Sequence, residues 1–232
     1  MDRANSDFNI LQLDAVAKAL GTLCKEVVFL GGAATVLLVP ESAYAGVRRT
    51  EDVDVIIDVI PRQKYYEFCE SLREKGFVED TGKDAVICRW LAPTDFGRVK
   101  VDIMPTDEKI LGFSNRWYKD AIRTADPYTL PSGTQIQSVS VSCFLATKLE
   151  AFKSRGGGDY FSHDIEDIIF VMENRENLAL ELLECEYVLK NYLATEMMSL
   201  LNDDFLNVLP GLLEDEDEAK NIETTIRLIS RW

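Results

Sequence analysis

The segment DVDVII (52–57) sets two carboxylates, Asp52 and Asp54, into a β-branched run that otherwise reads as a buried strand. In a strand, residues two apart share a face, so the two acids point the same way about 7 Å apart. Parallel carboxylates repel, and burying them unpaired is costly. That face must therefore either meet solvent at a sheet edge or hold a cation. Oxygen-only donors, with the remaining positions left to water or phosphate, suit Mg²⁺ or Mn²⁺. The strand is expected to run over 53–60, with Asp58 as its polar end and no role in a site.

Two further segments favour the cation. VKVDIMP (99–105) places Asp102 between valine and isoleucine in a second strand. Three carboxylates from two neighbouring strands can hold two divalent cations, a layout suited to in-line phosphoryl or nucleotidyl transfer. Upstream, FLGGAATVLL (29–38) puts Gly31 and Gly32 at a strand-to-helix turn. Glycines there let the backbone approach a phosphate, and the helix start offers free N–H donors. Thr50 either offers its hydroxyl to a phosphate or simply starts the strand; Arg48, with Arg49, either balances the acids, holds a triphosphate, or is an ordinary loop arginine.

Around these motifs the chain reads as a mixed α/β part over 1–140 and a helical part over 141–232. Helical spacing is expected over 11–23, a strand over 26–32, and a short buried helix closed by Pro40. Pro61 opens a helix ending near Phe77; strands follow over 84–91 and 98–105, joined by APTDFG, and a strand pair over 124–140. From Val141 onward every segment has helical character. Asp167 is expected as a first-turn acid favoured by the helix dipole, after Ser162 as N-cap.

Composition narrows the function. The net charge of −15 disfavours nonspecific nucleic-acid binding, which relies on lysine and arginine at phosphates. Five scattered cysteines without CxxC spacing suggest free thiols in a reducing cytoplasm, and a lone histidine argues against a histidine-based metal centre. No signal peptide is read at the N-terminus, and no run approaches the ~20 apolar residues that span a bilayer, so no membrane partner is expected.

The ordered set FLGGAATVLL, RRTEDVDVII and VKVDIMP resembles the DNA polymerase β-like nucleotidyltransferase superfamily. Nineteen residues separate Gly32 from Asp52, and with the block Arg48, Thr50, Asp52, Asp54 this spacing is similar to the AbiEii-type branch. That branch contains toxins of type IV toxin–antitoxin and abortive-infection systems. ATKLEAFKSRGGGDYFSHDIEDIIFVME (146–173) is similar to its later motif of lysine helix, basic glycine turn and Asp-bearing helix.

The resemblance, spanning roughly residues 26–173, implies an α+β nucleotidyltransferase fold: a small mixed sheet flanked by helices, then a helical domain. It implies a Mg²⁺- or Mn²⁺-dependent enzyme that moves NMP from an NTP to an acceptor hydroxyl. Asp52, Asp54 and Asp102 would be catalytic and metal-binding; Gly31, Gly32, Arg48, Thr50, Lys148 and Asp164 would bind the nucleotide. A tRNA or a protein would be the acceptor, and a cognate antitoxin a partner. Two alternatives stay open: an aminoglycoside-like small-molecule transferase, whose cationic acceptor suits an acidic protein, and a non-catalytic nucleotide-binding module.

Overall fold

The computed structural model describes residues 3–58, 62–83, 85–154, 157–213 and 215–232. Val59, Ile60 and Pro61, at the expected strand end and helix start, lie outside the described residues, as do Asp84, Arg155, Gly156 and Glu214. The chain forms two compact units, Met1–Leu37 with Tyr44–Ser140, and Leu38–Ala43 with Val141–Trp232.

In the first unit, helix α1 (Ala4–Leu20) stops where Gly21 adopts φ +55. The helix starts a full two turns before the expected Leu11, because its inner face there is Ser6 and Asn9, buried polar residues invisible to apolar periodicity. Strand β1 (Val27–Leu30) leads into α2 (Gly31–Ala34), a single turn continued by a 3₁₀ segment over Thr35–Leu37. Then come β2 (Asp52–Ile57), α3 (Arg62–Glu74), β3 (Val78–Glu79), β4 (Arg89–Thr94) and β5 (Gly97–Pro105). Short helices α4 (Glu108–Leu111) and α5 (Tyr118–Arg123) precede the hairpin of β6 (Asp126–Thr129) and β7 (Gln135–Ser138).

These strands form one seven-stranded mixed sheet in the order β3-β4-β5-β2-β1-β7-β6. The β2–β5 and β1–β7 pairs are parallel and the others antiparallel. β4 departs from expectation: it begins at Arg89 rather than 84 and runs through Ala92, Pro93 and Thr94, residues whose composition suggests a turn. Each of those three finds a partner on β5, so pairing overrides local preference and the turn shrinks to Asp95-Phe96. β3, two residues long, is too short to carry a periodic signal.

Alternation along β2, β4 and β5 separates two faces. Val53, Val55, Trp90, Ala92, Val99, Val101 and Ile103 are buried, while Asp52, Asp54, Arg89 and Lys100 fall on the opposite parity.

The second unit is built from α6 (Val141–Ser154), α7 (His163–Asn174), α8 (Leu178–Leu183), α9 (Tyr187–Leu200), α10 (Asp203–Val208) and α11 (Glu216–Ile229). No strand occurs in it among the described residues. Phe144, Leu145, Ile165, Ile168, Leu193, Met197 and Ile226 fill its core. Arg175 pairs with Glu181 at 2.6 Å and donates from Nη1 to the Leu38 carbonyl at 2.6 Å, which ties 38–43 to the helices. Among the described residues no helix is long and apolar enough to cross a membrane.

Candidate active site

Register assembles the site. Leu30 on β1 lies opposite Asp54 on β2, Asp54 opposite Asp102 on β5, and Asp102 opposite Arg89 on β4. Paired residues on adjacent strands project to the same face, about 5 Å apart between strands. Asp54 and Asp102 are thus direct neighbours, and Asp52 follows two residues before Asp54 on the same face. Local sequence contains the acids; only the parallel β2–β5 pairing makes them adjacent.

Gly31 has a specific steric role. Its φ is +74, and a Cβ added there would stand 1.9 Å from Asp54 Oδ2. The first glycine of the pair therefore makes room for the Asp54 carboxylate at the start of α2 and adopts a left-handed conformation that a side chain disfavours. Gly32 is buried within the α2 turn.

Arg89 is the main feature absent from the sequence reading. Its Nε donates to Asp102 Oδ1 at 2.7 Å, and Nη2 donates to Asp102 Oδ2 at 2.7 Å and to Asp52 Oδ2 at 2.6 Å. One guanidinium holds two of the three carboxylates, and its side chain is only 15% exposed. The hydrogen bonds to Asp102 push its pKa further up, against the opposing effect of burial. Beside it, burial pushes the Cys88 thiol up to about 12, and the nearby Asp102 and Asp54 charges add to that rise. A single arginine flanked by buried Cys88 and Trp90 is the one local signal of a charge needed on that face.

The remaining expected residues are each engaged by groups of their own unit. Thr50 precedes β2, is 5% exposed, and is held by α1: its N–H donates to Asn9 Oδ1 at 3.1 Å and its hydroxyl to the same oxygen at 3.3 Å. Gln12 donates to the Thr50 carbonyl at 3.0 Å and Asn9 to the Arg48 carbonyl at 2.8 Å. The backbone of residues 48–50 is thus moored to two buried amides. The Arg48 guanidinium donates to the neighbouring Arg49 carbonyl at 3.3 Å.

Lys148 and Asp164 come together in the second unit, but with a third member. Lys148 Nζ donates to Asp164 Oδ1 at 3.0 Å and to Asp167 Oδ2 at 2.7 Å, all three side chains being buried. Burial alone would lower the Lys148 pKa, but the charges of Asp167 and Asp164 raise it. The helix dipole is therefore not the whole account of Asp167, which is an ion-pair partner across 19 residues of sequence. Ser162 occupies the N-cap position of α7 without a side-chain capping bond, and His163 is exposed and pairs with Glu166 at 2.9 Å.

The donor chemistry of the acidic row fits a hard divalent cation: three carboxylates, oxygen ligands only, on one face of two paired strands. A cation is already placed between two of them in the form of Arg89. Among the described residues, no three His, Cys, Asp or Glu side chains close on a common metal position. Both oxygens of Asp102 and Oδ2 of Asp52, which such a metal would draw on, accept from Arg89.

The seven-stranded mixed sheet with its flanking helices defines an α+β fold. The chain is similar to an antigenic nucleotidyltransferase-like protein from Paracoccidioides brasiliensis, with a TM-score of 0.54 over 84% of this chain and 89% of that one, at 21% identity. At that identity the likeness shows the fold alone. No family model matches the sequence, and neither does any curated protein.

Proposed function

We propose that the chain is a metal-dependent nucleotidyltransferase that moves NMP from an NTP to an acceptor hydroxyl. The observation that carries this reading is the row Asp52, Asp54, Asp102, with Asp54 seated against Gly31 at the start of α2. In the reaction the acceptor oxygen bonds to the α-phosphorus, the α–β phosphoanhydride bond breaks, and pyrophosphate leaves with the bonding electrons. The hydroxyl proton passes to a carboxylate of the row or to water. Mg²⁺ or Mn²⁺, held by Asp52, Asp54 and Asp102, would neutralise the phosphate charge that these acids otherwise repel. Asp54 is fixed by its seat at Gly31, and Asp102 by its register opposite both Asp54 and Arg89.

The motif order and the Gly32–Asp52 spacing support an AbiEii-like, toxin-type transferase, with a tRNA 3′ end or a protein side chain as acceptor and a cognate antitoxin as partner. Lys148 and Asp164 enter this reading as nucleotide contacts through the resemblance alone. The net charge of −15 favours a second reading, an aminoglycoside-like transferase with a cationic acceptor. Three intact acids count against a purely non-catalytic module.

The test is incubation of the full chain with each labelled NTP and Mg²⁺, with total RNA, protein lysate or cationic small molecules as acceptor pools. Label is expected in one pool, and Asp54→Ala is expected to abolish its transfer. Undiminished labelling by the folded variant refutes the proposal.

A further inference from the structure

Arg89 uses its planar fork on Asp102 and extends the same Nη2 to Asp52. A bidentate guanidinium–carboxylate pair is among the stronger polar contacts available to a protein, more so where water is partly excluded. Ionised carboxylates have only acceptor lone pairs to give, and the oxygens Oδ1 and Oδ2 of Asp102 and Oδ2 of Asp52 are each engaged. A divalent cation ligated by Asp52 and Asp102 would share with Arg89 both oxygens of Asp102 and Oδ2 of Asp52, and each contact would weaken the other. Two cations also repel at such short range. Arg89 and the metal are therefore competitors for the same ligands.

We propose that Arg89 is a built-in counter-ion gate: it holds Asp52 and Asp102 in the cation-free protein, and a divalent cation binds only as the guanidinium leaves them. This rests on the metal-dependent reading of the acidic row. A structural strut between β4, β5 and β2 predicts the opposite outcome. If Arg89 merely kept the carboxylates aligned, its removal would splay them and weaken metal binding.

The test is Mn²⁺ binding to the full chain without nucleotide, followed by loss of the free-ion electron paramagnetic resonance signal. Arg89→Gln is expected to bind Mn²⁺ about tenfold more tightly than the native chain, the gain set by release of a charge-assisted bidentate pair. Adding Asp102→Asn to that variant is expected to remove the gain, which places the ion at this row. If far-ultraviolet circular dichroism shows Arg89→Gln unfolded, Arg89→Lys takes its place: it keeps the charge, loses the fork, and is expected to show a smaller gain. Equal or weaker Mn²⁺ binding by the folded variant, a gain that survives Asp102→Asn, or no binding by either protein overturns the proposal. Since neither nucleotide nor acceptor is present, absence of NMP transfer in the labelling experiment would count against the transferase and leave this result standing.

Discussion

Gly31 shows how one missing side chain shapes the acidic row. The Asp54 carboxylate fills the volume a Cβ would take, and φ +74 is a conformation that L side chains rarely adopt. Gly31→Ala must displace Asp54 and strain the backbone, a loss of about 1–3 kcal/mol for the conformation alone. Urea unfolding should show that loss, and any NMP transfer should fall with it because Asp54 moves. Asp54 and Gly31 were both legible in the sequence, one as an acid on the Asp52 face by its strand parity and the other as a turn glycine. That the second exists to seat the first was not legible, since the contact joins α2 to β2 across an intervening loop.

At the scale of elements, α1 organises the approach to β2. Its inner face offers Asn9 and Gln12 instead of leucine, and these amides satisfy the backbone of Arg48 and Thr50. Buried N–H and C=O groups need partners, and residues 48–50 have none from the sheet ladder because β2 begins only at Asp52. Asn9→Ala would leave the buried Thr50 N–H unpaired, a cost of about 1–3 kcal/mol that thermal or urea unfolding should register. The same packing removes Thr50 from solvent. Sequence periodicity finds α1 only from its apolar half, because hydrophobic patterning has no sign for a polar residue that is buried and satisfied.

Across the whole molecule, the acidic row of the first unit and the Lys148 cluster of the second differ in how far each is closed to solvent. The row in the first unit is partly open: the Asp52 side chain is 34% exposed. The cluster in the second unit is closed, with Lys148, Asp164 and Asp167 all under 10% exposed. Lys148→Met would remove the cation from two buried carboxylates, with an expected loss of about 3–5 kcal/mol, the usual result of breaking a buried ion pair from one side. Loss of helical ellipticity should move to lower urea accordingly. The raised Lys148 pKa gives the cluster a pH signature: its contribution is fully present below the unfolded lysine value of 10.5 and is lost as pH climbs through the higher folded value.

Features that depend on neighbours along the chain are readable without the fold. Strand parity put Asp52 and Asp54 on one face, the glycine pair marked the turn after β1, and the change in pattern near Val141 separated strands from helices. Tertiary structure alone decided which strands lie side by side. Asp54 faces Asp102 because β2 and β5 pair in parallel, and Arg89 reaches both Asp102 and Asp52 because β4 pairs with β5 in one register out of several. A shift of one residue would turn Arg89 to the apolar face. That register is set by burying Trp90, Ala92, Val99 and Val101 together, so the hydrophobic face of the sheet fixes the charges on the other.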